Sequence, residues 1–369
     1  MTANNDVSIH DGYLHCLFAF DIGFEIKVAQ IPDLFPQRGR DPVGYNFLNR
    51  NIGRDPLPLR LVFDSVRMQI GKELRSFQVY ATFFDIGALS LEFICELTEK
   101  VVELPNLAIE VSHSKELLLS AQRVAEDIFR QAKAAVVSPD FFPTPTQFNV
   151  FNIRGLVPRL TTDQITQDLC IPIAQTLRQS LEPIGKVEID RTLNPSVTYS
   201  DDDIAFVSST GALVFDETSN EVIDVFELLN VQSLELRIVD AKLDKSLQNL
   251  FDESEAHHKS YKRFFDFFDP QSRKLNLLHL DSTILVERVE QSYKFASDSY
   301  LVRIYELCIQ RMFLKVFSAG IDKKLQVLRD VITDQRDRAS TRRMEIIEWI
   351  VVILIAVDVV PKILAFFKK

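Results

Sequence analysis

The side chains best suited to chemistry fall in two short stretches. His257-His258 stands beside Glu253 and Glu255, residue types that ligate divalent metals. Adjacent histidines on a helix point in different directions, so the same group also reads as a solvated helix end. Asp201-Asp202-Asp203 precedes an apolar β-type run. Three carboxylates could hold a hard cation if further oxygen ligands joined them, yet an acidic loop entering a hairpin has the same composition. Lys262-Arg263 lies among Phe264, Phe265, Phe267 and Phe268, mixing base and aromatic as RNA-binding surfaces do, although a core-facing aromatic cluster or a membrane-near patch is the plainer reading. No GxxxxGK(S/T), GxGxxG or GxSxG pattern occurs, and eleven glycines leave little room for a phosphate cradle. Catalysis would have to be assembled from scattered residues such as Arg54, Asp201, Asp203 and His257. Spacing alone therefore assigns no catalytic residue, no metal ligand and no cofactor.

The chain that must position these groups has 369 residues, 46% apolar and 25% charged, the composition of an ordinary folded protein of two or three structural units. A net charge of −10 argues against direct nucleic-acid binding. Four cysteines, Cys16, Cys95, Cys170 and Cys308, lie far apart and read as buried thiols. The first residues show neither the basic and apolar pattern of a secretory signal nor an Arg-rich transit peptide. The charge is uneven: residues 320–369 carry ten Lys/Arg against seven Asp/Glu, a local +3 that leaves −13 for residues 1–319.

Aromatic and β-branched runs predict hairpins at residues 13–30, 77–93 and 204–216. Phe20-Asp21-Ile22-Gly23 in the first returns as Phe84-Asp85-Ile86-Gly87 in the second, and Gly87-Ala88-Leu89 is echoed by Gly211-Ala212-Leu213. A further strand is expected at residues 148–153. Apolar residues at helical spacing predict a helix over residues 114–137 capped by Ser114, and another over residues 162–181 capped by Thr162. Residues 219–243 read as helix mixed with a strand near residues 233–239. Residues 31–60 and 138–147 read as loops, the second a candidate break within the body. Beyond residue 250 long helices are expected, with a turn at Gly320. From Ile321 a seam of Ile321, Leu325, Leu328 and Ile332 predicts coiled-coil self-association.

The C-terminus suggests an anchor. Residues 349–357 are apolar, and the run resumes after Asp358, so a helix over residues 346–367 would be about 33 Å long against a hydrocarbon core of roughly 30 Å. Arg343 and Trp349 stand at its entrance, while Glu348, Asp358 and Lys362 interrupt it. Basic residues ahead of it place the N-terminal body on the cytoplasmic side. Lys362 could pair with Asp358 within one helix, or Asp358 could meet a partner helix.

These last hundred residues, with the helix opening at Leu280-Asp281 and the junction Arg342-Arg343 to Asp358, resemble the "required for meiotic nuclear division" family. Phe18-Ala19-Phe20-Asp21 and Gly211-Ala212-Leu213-Val214-Phe215 are similar to that family's early aromatic strand and its Gly-plus-β-branched strand, while Asp216 departs from it. The resemblance implies a helical hairpin, one membrane helix, and a setting like that of mitochondrial relatives that form large oligomers and support organellar translation. It implies no active site.

The expected architecture is α+β: antiparallel β-hairpins with packed helices over residues 1–250, a helical hairpin or stalk over residues 251–345, and one transmembrane helix over residues 346–367. The expected function is a membrane-anchored, non-enzymatic interaction or scaffold protein. Its partners would be the lipid bilayer, copies of itself and unidentified proteins. The alternative is a membrane-bound metal- or nucleotide-dependent hydrolase.

Overall fold

The computed structural model describes residues 7–41, 57–218, 220–257, 283 and 299–366. Its strands are β1 (Ser8–Asp21), β2 (Gly23–Ile26), β3 (Leu59–Ile70), β4 (Glu73–Phe83), β5 (Ala88–Glu96), β6 (Val136–Pro139), β7 (Thr146–Val157), β8 (Ile204–Val207) and β9 (Gly211–Phe215). Its helices are α1 (Ile31–Leu34), α2 (Leu104–Ser112), α3 (Lys115–Ala132), α4 (Thr162–Asp168), α5 (Cys170–Arg178), α6 (Lys186–Leu193), α7 (Asn220–His257), α8 (Ser299–Arg311) and α9 (Leu314–Phe366). The described chain divides into two compact units, Met1–Ile238 with Leu285–Ser318 and Val239–Ile284 with Ala319–Lys369.

The first unit is built on a seven-stranded sheet in the order β3-β4-β5-β1-β7-β9-β8. Every neighbour pair is antiparallel except β7 and β9. β1 lies mid-sheet, and residues 14–21 are all buried, which is why its sequence runs apolar without clear alternation. Phe18, Phe20, Phe77 and Phe93 face one side, where Leu117, Ala121 and Ile128 of α3 join them at helical spacing. Ser114 caps α3 by accepting from the Leu117 amide at 3.1 Å, as expected. On the other face Ala19 and Ala88 lie against Leu228, Val231, Leu234 and Ile238 of α7.

The expected hairpins at residues 77–93 and 204–216 are present as β4–β5 and β8–β9. β2, however, leaves β1 to pair with β6. The two Phe-Asp-Ile-Gly turns meet each other: the Ile22 amide donates to the Gly87 carbonyl at 3.0 Å, and the Ile26 amide to the Asp85 carbonyl at 3.1 Å.

Residues 233–239 are helical, not a strand. Ser-Leu-Glu-Leu-Arg-Ile-Val alternates like a strand, but it belongs to a helix of which residues 222–236 are buried on every side, and such a helix loses the polar stripe that marks its period. The expected helix over residues 162–181 divides into α4 and α5, and its cap is Thr161 with Gln164. The turn expected at Gly320 falls instead at Phe313, which takes φ +57° between α8 and α9, leaving Gly320 inside α9.

The expected transmembrane helix is also corrected. Among the described residues no helix is long and apolar enough to cross a membrane. The uninterrupted apolar run from Trp349 to Val357 covers nine residues, about 14 Å of helix against a core of roughly 30 Å, and Glu348, Asp358, Pro361 and Lys362 close it at both ends. The single-pass membrane architecture is withdrawn with it.

In the second unit, Leu243 of α7 and Ile321 and Leu328 of α9 are buried. Lys324 Nζ reaches Asp240 and Asp244 at 2.7 and 2.6 Å.

Candidate functional site

Across the face of the sheet that α7 covers, paired strands carry a row of polar side chains. In the register Tyr80 and Leu17 both pair with Glu92, His15 pairs with Ile94, and Arg60 pairs with Thr82, so these residues share one face. The first turns of α7 bring Asp224 and Glu227, three residues apart and therefore on one side of the helix, onto Arg60. The Arg60 guanidinium donates to Asp224 Oδ1 at 2.7 Å, to Glu227 Oε2 at 2.5 Å and to Thr82 Oγ1 at 3.3 Å. It stands 3.9 Å from Glu92 and 4.0 Å from Asp41.

Glu92 is the centre of this group. Burial acts to raise its pKa, but the charge of Arg60 and the hydrogen bond and charge of His15 outweigh it and hold the carboxyl below its ordinary value. An ionised carboxylate only accepts, so at 2.7 Å His15 Nδ1 is the donor. The other ring nitrogen, Nε2, is buried and has no hydrogen-bond partner.

The group forms the floor of a cleft of about 770 Å³. Arg154 covers the Tyr13 ring at 4.8 Å on one wall. On another, Arg75 pairs with Glu99 and, at 2.7 Å, with Glu73. Burial pushes the neighbouring Cys95 thiol up to about 11 against the pull of Arg75, and burial with Asp41 and Glu92 raises Tyr80. The cleft thus combines fixed guanidiniums and carboxylates with an oriented imidazole.

The residues singled out in the sequence lie elsewhere. Asp203 accepts from the amides of Tyr199 and Ser200 at 2.5 and 2.9 Å and from Ser200 Oγ at 2.6 Å, bracing its own loop. Asp202 pairs with Arg159 at 3.2 Å, and the Asp201 carbonyl accepts from the Thr162 amide. Among the described residues no group of three or more His, Cys, Asp or Glu could hold a metal ion. Arg54, His258, Lys262 and Arg263 fall outside the described residues, as do the side chains of Glu253, Glu255 and His257.

Of the expected seam, Ile321, Leu325 and Leu328 are buried within this chain, and the Ile332 side chain lies outside those described. Arg343, Glu348, Trp349, Asp358 and Lys362 all stand on α9, where Glu348 and Trp349 are exposed. The side chains of Arg343, Asp358 and Lys362 are not among those described. Around Trp349 the helix is apolar without a covered side: every residue from 349 to 355 is 47–67% exposed.

The chain belongs to the family described as "Uncharacterized protein MJ0711, N-terminal domain", which matches residues 11–221. That span covers nearly all of the sheet and, of the clustered ionisable residues, His15, Asp41, Arg60 and Glu92, but not Asp224 or Glu227. "Uncharacterized protein MJ0711" of Methanocaldococcus jannaschii is 20% identical over 190 residues, 51% of this chain. The aligned part spans 58% of that relative's length. No solved structure matches the chain.

Proposed function

We propose that the protein is a non-enzymatic interaction or scaffold protein that self-associates through the apolar end of α9, the partner being a second copy of this chain. The observation that carries this reading is the all-round exposure of seven consecutive apolar residues at 349–355. A helix apolar on every side calls for cover on more than one side, and an exposed patch of this kind marks an interaction surface. A second copy supplies an identical apolar helix, and closed symmetric assemblies are the common outcome of such self-complementary surfaces. Ile321, Leu325 and Leu328 are buried within one chain, which supports an association surface beyond them.

The likeness of the last hundred residues to the "required for meiotic nuclear division" family supports this reading. Its mitochondrial relatives assemble into large oligomers, and a role in supporting translation or assembly is part of the same proposal. The net charge of −13 over residues 1–319 favours protein over nucleic-acid partners. The hydrolase alternative gains nothing from Asp203, whose carboxylate is taken up by the Tyr199–Ser200 backbone.

Co-expression of two differently tagged copies tests the proposal. The second tag copurifies with the first in the natural chain and is lost in the double variant Ile350→Asp, Leu354→Asp. Retention of the second tag by that variant overturns the proposal. Binding to vesicles of mixed phosphatidylcholine and phosphatidylglycerol without copurification overturns it in favour of a lipid surface.

A further inference from the structure

The cleft with His15 in its floor is lined wholly by residues of the first unit. His15 is 8% exposed at its side chain, and its ring is held by the 2.7 Å contact from Nδ1 to Glu92. Its Nε2 is buried without a hydrogen-bond partner although the residue lines the cleft. Buried polar atoms are almost always satisfied, so an oriented, unpaired ring nitrogen at a cleft floor calls for a hydrogen-bond partner brought from outside.

The walls decide the class. The lining holds both signs, Arg60, Arg75 and Arg154 with Asp41, Glu73, Glu92, Glu96 and Asp224, and Arg60 and Arg75 are paired with carboxylates of that lining, so the cleft offers neither a polyanion nor a polycation a one-sign surface. Tyr13, Ser65, Ser76, Tyr80 and Thr98 add hydroxyl-bearing side chains. Hydroxyl groups both donate and accept, so a ligand hydroxyl can pair with His15 Nε2 in either role. A volume of about 770 Å³ lies within the range of pockets that enclose small organic molecules.

We infer that this cleft binds an uncharged, polyhydroxylated small molecule, with a hydroxyl of the ligand hydrogen-bonded to His15 Nε2. Free sugars and nucleosides share this chemistry. The test is a titration of the full chain, labelled with ¹³C and ¹⁵N at histidine, followed at the His15 Cε1–H and Nε2 resonances. Adenosine and glucose serve as the two hydroxylated probes, with inorganic phosphate, spermidine and Zn²⁺ as charged ones. A saturable shift of both His15 signals is expected with at least one hydroxylated probe, and the pair distinguishes a nucleoside from a sugar. His15→Phe weakens that binding by about ten-fold or more, as loss of one well-made hydrogen bond does. The titration of the natural chain decides the matter even where the variant does not fold. A response confined to phosphate, spermidine or Zn²⁺ overturns the inference, as does no response to any probe.

Discussion

Arg60 engages two carboxylates of α7 while standing within 4 Å of Glu92 and Asp41, and its side chain is 10% exposed. Removing one partner of a buried ionic group costs about 3–5 kcal/mol, because the remaining charges stay desolvated. Arg60→Met is expected to lower stability by that amount in urea unfolding, with Arg60→Lys recovering only part of it because an ammonium cannot reproduce the fork of bonds. Glu92 sets the acid limb. Its folded pKa lies below the ordinary value of 4.5, so the ionised form contributes stability above the unfolded value near 4.3, and that stability is lost as pH falls through the lower folded value. Glu92→Gln should therefore flatten the fall of the urea midpoint below about pH 4.5 relative to the natural chain. Of the thiols, Cys16, Cys95 and Cys308 are buried and burial raises their pKa values, whereas Cys170 is half-buried. Iodoacetamide at pH 8 should label Cys170 first, and mass spectrometry should find the other three modified only on unfolding. None of the clustered residues forms a motif in the sequence. His15 in Leu14-His15-Cys16, Glu92 in Leu91-Glu92-Phe93 and Glu227 in Phe226-Glu227-Leu228 are single ionisable residues inside apolar runs. That is the signal by which they could have been found, because a charge within a buried stretch must meet a partner.

At the scale of elements, legibility followed periodicity. α3 was readable because Leu117, Ala121, Ala125, Ile128 and Ala132 recur at helical spacing opposite a polar face, and Ser114 carries its cap. The β4–β5 and β8–β9 hairpins were readable from their turns. α7 was not, because burial on all sides removes the contrast between faces. Glycine misled at one turn and informed at another. Gly320 sits inside α9 with nothing within 4 Å of an added Cβ, so Gly320→Ala should raise stability by about 0.5–1 kcal/mol. Gly87 adopts φ +97°, and a Cβ there would lie 1.9 Å from the Gly23 carbonyl oxygen. Gly87→Ala should destabilise by several times the gain at Gly320, since both the backbone and the junction of the two Phe-Asp-Ile-Gly turns must shift. Thermal or urea unfolding of the two variants side by side checks the opposite signs.

At the scale of the molecule, the family match over residues 11–221 covers the sheet and the strand residues of the cleft, whereas the exposed apolar end of α9 lies outside it. Composition indicated a globular chain and the uneven charge indicated a distinct C-terminal part, but the apolar run there was too short and too interrupted for the span first expected of it. Its exposure is the ground for proposing self-association. Sedimentation velocity of the purified full chain over a range of concentrations tests that claim most directly. The account predicts a species at an integer multiple of the chain mass that reverts to monomer in the Ile350→Asp, Leu354→Asp variant. A natural chain that stays monomeric at every concentration, or a double variant that keeps the assembled mass, would contradict it.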